Sequence, residues 1–144
     1  METLGVSANI LVSYFEVRQS KRLSKEWLNL INRPCVNKVF LDSGAFSAWS
    51  RNQPLKNSDY MDWLVDHIQD PKLAAVAALD VIGDEEASID NYLKMAERFP
   101  DYIDKIVFTW HVPAEMCYLR HIAKIGPYIA FGGMVPFISR ARSN

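Results

Sequence analysis

Continuous apolar runs alternate along the chain with stretches whose apolar positions recur every three or four residues, and this predicts strands and helices in turn. A β-rich run at 10–15 (Ile-Leu-Val-Ser-Tyr-Phe) predicts a first strand. A basic, polar loop bearing Arg18, Lys21, Arg22 and Lys25 follows. Ser24 caps a predicted helix over about 25–32, with Trp27, Leu28, Leu30 and Ile31 on or near its inner face and Pro34 just beyond it. Residues 38–42 predict the second strand. Ser58 precedes a predicted helix at 59–68, where Tyr60, Trp63, Leu64, His67 and Ile68 fall at helical spacing before Pro71.

Residues 73–79 are almost wholly apolar, as expected of a strand buried on both faces. Gly83-Asp84 leads into a predicted helix at 85–99, with Ile89, Tyr92, Leu93 and Ala96 inward and Glu85 and Glu86 at its positive N-terminal end. Residues 106–110 predict a fourth strand. A helix at 114–125, with Met116, Leu119, Ile122 and Ala123 as packing positions, closes at Gly126-Pro127. A fifth strand spans 128–131, and the short basic segment 137–144 carries no assignment. Five strands and four main helices in strict alternation predict one α/β domain over residues 1–144, built on a parallel sheet with right-handed crossovers.

A doubly wound sheet and part of an eight-stranded barrel both fit this alternation. No G-x-G-x-x-G follows the first strand and no Walker-type phosphate loop occurs, which lowers the case for a nucleotide-binding doubly wound domain. A complete (β/α)8 barrel takes about 250 residues, so 144 residues make a partial one.

Composition adds little. The chain is 49% apolar and 23% charged with a net charge of −1, as in an ordinary globular domain, so nucleic acid is neither required nor excluded as a partner. Cys35 and Cys117 are far apart and form no metal spacing, and they read as reduced structural thiols. No apolar run approaches the roughly 20 residues of a membrane span, and no signal peptide opens the chain. The expected location is the cytoplasm, without membrane association.

The predicted strands end in chemistry. Asp42-Ser43-Gly44-Ala45-Phe46 follows Val39-Phe40-Leu41, Asp80 follows Leu79, His111 follows Trp110, and Gly132-Gly133 follows Phe131. The C-terminal edge of a parallel sheet is where α/β proteins place their sites. Asp42 fits an acid, a base or a ligand of a polar substrate, and equally a turn cap assisted by Ser43. Asp80 admits the same two readings, and two neighbouring carboxylates can divide proton transfer and recognition. His111 can exchange a proton near neutral pH or serve as a polar strand end. Gly132-Gly133 suits close backbone approach by a ligand, or a tight turn. Phe46, Trp49 and Trp110 fit stacking on a planar base, or the core. The basic cluster Arg18, Lys21, Arg22 and Lys25 fits phosphate contact, or a solvated loop. His67 and His121 read as structural, and no metal or other cofactor is implied.

Taken in order, these residues resemble the tRNA-guanine transglycosylase family (queuine tRNA-ribosyltransferases) and its phage-encoded DNA-modifying relatives. The family carries Asp-Ser-Gly-Gly-aromatic-Gln after a strand, and Asp42-Ser43-Gly44-Ala45-Phe46-Ser47 is similar. Asp80 in Ala78-Leu79-Asp80 looks like the family's base-reading aspartate. His111 stands about where a base-contacting glutamine is found, and Gly132-Gly133-Met134 resembles a Gly-Gly-Leu/Met stretch. The likeness covers the first five βα units of the family's barrel. It implies exchange of guanine for a 7-deazaguanine, as in queuosine synthesis, in tRNA or DNA. Asp42 would be the general acid/base, and Ser43, Gly44, Phe46, Asp80, His111, Gly132, Gly133 and Met134 would bind the base. Ala45, Ser47 and His111 depart from the family pattern and bear on which base is accepted. The family's nucleophilic aspartate lies beyond the matched stretch, so the expected domain is a partial one that a homodimer or a second chain could complete. Two other readings stay open: a non-catalytic module binding nucleic acid or a 7-deazapurine, and a barrel-derived hydrolase or lyase of a small polar substrate.

Overall fold

The computed structural model describes residues 7–18 and 21–133. Five parallel strands form one sheet: β1 (Ala8–Ser13), β2 (Val36–Asp42), β3 (Leu73–Ala77), β4 (Ile106–His111) and β5 (Tyr128–Gly132). Their spatial order is the order of the sequence. A doubly wound sheet reverses its strand order at a switch point, and this sheet has no reversal. The chain is thus α/β with a singly wound parallel sheet. Among the described residues that sheet is open, with β1 and β5 at its edges.

Among the described residues six helices connect or flank the strands: α1 (Tyr14–Val17), α2 (Lys21–Ile31), α3 (Ala45–Ser50), α4 (Asn57–Val65), α5 (Glu85–Arg98) and α6 (Met116–Ile122). A 3-10 turn spans Pro100–Tyr102. Two of these helices correct the expectation of four. Tyr14 and Phe15 leave the first strand and open α1, where both are buried. Their β propensity is overridden by burial, which tertiary packing often does. The six residues of α3, AFSAWS, are too few to show a helical period.

Other boundaries also move. The expected basic loop is largely helix, because α2 begins at Lys21 and Ser24 lies inside it. Ser58 likewise lies within α4, and Lys56 takes the N-cap position. β3 stops at Ala77, and its burial is one-sided in part, since Ala74 is exposed. The last helix is shorter than 114–125, and Met116 and Ala123 are exposed on it. On α5, Met95 is buried while Leu93 is exposed, so the packing stripe runs Ser88, Ile89, Tyr92, Met95.

The core lies between one face of the sheet and the helices. Val39, Leu41, Val76, Ile106 and Phe108 meet Trp27, Ile31, Tyr60, Leu64, Tyr92, Met95 and Ile122. Side chains alternate across a strand. Residues one register position away therefore point to the other face: Phe40 and Asp42 on β2, Val107, Thr109 and His111 on β4. Tyr60 ties the two layers together. It is fully buried, and its hydroxyl donates to the Ala77 carbonyl at 3.0 Å, just upstream of Asp80.

Candidate functional site

The C-terminal ends of β2, β3, β4 and β5 converge on a cleft of about 1070 Å³. Asp42, Phe46, Asp80, His111, Gly132 and Gly133 all line it. The parallel register explains the meeting: Ser13 pairs with Asp42, and His111 pairs with Gly132, at the same edge of the sheet.

Asp42 ends β2 half-buried, and its Oδ2 accepts the Gly44 N–H at 3.0 Å. Burial pushes its carboxyl above the usual aspartate range. The Gly44 bond opposes that shift, and the negative charge of Asp80 adds to it. Ser43 is buried, and its Oγ accepts the Ala45 N–H at 3.3 Å at the start of α3. Ser43 and Gly44 shape the turn and are not part of the cleft wall. Gly44 is in the left-handed region at φ +76°, where a Cβ would lie 2.4 Å from both the Phe15 Cβ and the Ser13 Oγ.

His111 stands between two carboxylates. Its Nε2 is 3.5 Å from Asp80 Oδ2, and its Nδ1 is 3.3 Å from Glu85 Oε2. Two acceptors facing both ring nitrogens favour the doubly protonated imidazolium. The hydrogen bond to Asp80 accordingly raises the histidine above its usual range, burial opposes the rise, and Glu85 reinforces it. Gly132 gives the ring its room, since a Cβ there would lie 2.8 Å from His111 Cδ2. Gly133 turns the chain at φ +70° against the Val112 backbone.

Glu85 escaped the sequence reading as a site residue. As the first residue of α5 it has a routine explanation in the helix dipole. Yet its side chain is only 10% exposed, it reaches His111, and its Oε1 is buried with no hydrogen-bond partner among the described residues. The available signal was position: α5 begins five residues after Asp80, so its first turn faces the same mouth. Asp84 performs the capping, accepting the Ala87 N–H at 2.9 Å.

The cleft is acidic. Asp42, Asp80, Asp84, Glu85, Glu86 and Glu115 line it, and among the described residues no lysine or arginine does. Arg18 and Lys25 lie elsewhere. Arg18 caps α1, lies 5.0 Å from the Phe15 ring centre and donates to the Gln53 carbonyl at 3.5 Å. Lys25 is exposed on α2, which also carries Lys21 and Arg22. Met134 lies outside the described residues. Phe46 is exposed at the mouth, with the exposed ring of Trp49 5.8 Å away. Trp110 belongs to the core.

His67 packs against Trp63 at 4.0 Å and Trp27 at 6.1 Å, away from the cleft, and burial lowers its pKa. His121 is exposed in the last turn of α6. Cys35 and Cys117 are free and exposed, unlike structural thiols in a core. Among the described residues, no group of three or more histidine, cysteine, aspartate or glutamate side chains is placed to hold a metal ion, and no helix is long and apolar enough to cross a membrane.

Chemically, the site offers a carboxyl of raised pKa, a second carboxylate held by the His111 ring, and a third with one buried oxygen unpartnered among the described residues. Such a set accepts hydrogen bonds from N–H donors and moves protons. A scan against protein-family models and searches of curated proteins and of solved structures each found no match to the chain.

Proposed function

We propose that this chain is a base-pocket domain of the guanine transglycosylase type, its sheet forming one part of a (β/α)8 barrel, and that it recognises guanine or a 7-deazaguanine for N-glycosidic base exchange in nucleic acid. One observation carries the reading: Asp42, Asp80 and Glu85 converge with His111 on a single cleft. Guanine offers adjacent N1–H and N2–H donors along one edge, and carboxylates accept that pattern. Among the described residues the buried Oε1 of Glu85 has no donor, as an acceptor reserved for a ligand would have none. The exposed ring of Phe46 at the mouth suits stacking on a base.

In this reading His111 does not touch the base through its nitrogens. Both are occupied by carboxylates, so it is a positioning residue for Asp80. Asp42 handles the proton. In base exchange one glycosidic C–N bond breaks and one forms. The leaving base takes up the bond's electron pair and a proton, and the incoming base releases a proton and bonds to the same carbon. A carboxyl with a raised pKa can give the first proton and receive the second. The aspartate that holds the sugar in the resembled family lies beyond the matched stretch. The reading therefore assigns this chain base recognition and proton transfer.

The test is incorporation of radiolabelled guanine into tRNA or DNA by the wild type and by Asp42→Asn. Assayed together with a second chain that supplies the sugar-holding aspartate, the wild type incorporates label, and Asp42→Asn loses about 100-fold or more, the usual scale of general acid–base catalysis. Label incorporated equally by both proteins removes Asp42 from the chemistry. No incorporation into either nucleic acid removes the exchange reading.

A further inference from the structure

Four of the cleft carboxylates have partners of their own. Asp42 accepts the Gly44 N–H at 3.0 Å at the end of β2, and Asp84 accepts the Ala87 N–H at 2.9 Å in the first turn of α5. Glu86 accepts the Tyr118 hydroxyl of α6 at 3.1 Å, and Glu115 accepts the Cys117 thiol at 3.4 Å. Asp80 and Glu85 remain, and both turn to His111. From β5, Gly132 packs against the ring and brings no charge.

The ring divides the Glu85 carboxylate. Its Nδ1 lies 3.3 Å from Oε2, which leaves Oε1, buried and without a partner among the described residues, for a ligand. Its Nε2 lies 3.5 Å from Asp80 Oδ2. Donating to both carboxylates at once takes two N–H groups, and only the imidazolium has two. A neutral ring keeps one N–H and turns a lone pair toward the other carboxylate. Glu85 is the partner that gives way, because its side chain is one methylene longer than that of Asp80. At 10% exposure, a Glu85 that has lost its donor is a buried charge without a partner, and moving out to water relieves that cost.

We propose that His111 is a proton-operated clamp on Glu85: the doubly protonated ring holds that carboxylate in the cleft as an acceptor, and loss of one ring proton releases it. A ligand that donates N–H to Glu85 therefore binds the clamped form. Its affinity is complete below the usual histidine range and is lost as pH rises through the folded-state value, which the bond to Asp80 raises. That guanine is such a ligand rests on the base-pocket reading, whereas the clamp stands on the meeting of Asp80, His111 and Glu85 alone. The other two histidines, His67 and His121, do not line the cleft.

NMR reads the clamp without a ligand. Three-bond couplings to Glu85 Cγ report its χ1 rotamer, and the His111 ring signals report its protonation in the same pH series. The expected result is a single Glu85 rotamer on the acid side of the His111 midpoint and averaging on the basic side. In His111→Gln, whose side chain does not titrate, the couplings stay flat over that range. Calorimetry of guanine in the same series is expected to show wild-type affinity falling about tenfold or more across the midpoint, the scale of one hydrogen bond to a charged group, with no such fall in His111→Gln. Wild-type couplings that stay constant while the ring titrates overturn the clamp, as does guanine binding equally on both sides of the midpoint. If guanine fails to bind at any pH while the Glu85 rotamer follows the ring, the base-pocket reading falls and the clamp stands.

Discussion

Gly44 is the residue on which the Asp42 turn depends, and replacing it tests the geometry of the site without touching its charges. At φ +76° it occupies the left-handed region, and its N–H is the donor to Asp42 Oδ2. An alanine there meets two costs. The left-handed conformation disfavours an L-residue by about 1–2 kcal/mol. Stiffening of the unfolded chain returns about 0.4–1 kcal/mol. The second cost is steric. The new Cβ lies 2.4 Å from the Phe15 Cβ, about 1 Å closer than ordinary van der Waals contact. The Ser13 hydroxyl can rotate away, but the Phe15 Cβ is fixed to the backbone of α1. Overpacking of this kind adds about 1–3 kcal/mol, for a total of about 2–4 kcal/mol. Gly83 is the matched control. Its φ is +84° and a Cβ there meets nothing within 4 Å, so only the conformational cost of about 1 kcal/mol applies. Urea unfolding of the wild type, Gly44→Ala and Gly83→Ala, with a common m-value, measures both. Equal losses for the two variants would refute the packing of the Asp42 turn on the β1–α1 junction.

Further outcomes follow from the same geometry. Burial raises the Asp42 carboxyl, so its ionised form is disfavoured in the folded chain and costs stability at neutral pH. Asp42→Asn is expected to raise Tm at pH 7, with the gain fading as pH falls through the raised folded-state value and gone below the ordinary aspartate value of about 3.9. A Tm that drops at pH 7 contradicts the burial argument. His111 is raised by its bond to Asp80, so its stabilising effect is complete below the usual histidine range and is lost as pH climbs through the folded-state value. Following the His111 ring by NMR, Asp80→Asn and Glu85→Gln should each bring its titration to lower pH, and no movement in either variant rules out the clamp. Tyr60→Phe leaves the Ala77 carbonyl without its donor and should cost about 1–2 kcal/mol in urea unfolding, with no cost counting against that bond.

The strands were legible because each is an apolar run that stops at a polar group, and the parallel register then carries Asp42, Asp80, His111 and Gly132 to one edge. The helices read less well where local pattern and tertiary context disagree. Tyr14 and Phe15 have strand-like side chains but are buried in α1. Ser24 and Ser58 look like caps, yet both sit within the first turn of a helix, because nothing local distinguishes a capping serine from a serine a few residues inside. The helix α3 carries exposed aromatic rings at Phe46 and Trp49, which a burial-based reading assigns to a core. Glu85 was hidden by its ordinary place in the first turn of α5, and only the fold shows it reaching His111. Ser43 went the other way: its turn role accounts for its one buried oxygen.

The acidic cleft also revises the part played by the basic residues. Arg18 and Lys25 are not on its walls, so any contact they make with phosphates is made outside the cleft. Nucleic acid approaching an unshielded cluster of carboxylates meets repulsion, and added salt screens it.

Isothermal titration calorimetry of guanine into the wild type, Asp80→Asn and Glu85→Gln most directly tests whether this cleft is a purine pocket. Saturable one-to-one binding is predicted for the wild type, with each substitution weakening it about tenfold or more, the scale expected when a charged acceptor is removed from a buried donor pair. Wild-type protein that gives no saturable heat with guanine, or variants that bind it as tightly as the wild type, would contradict the assignment.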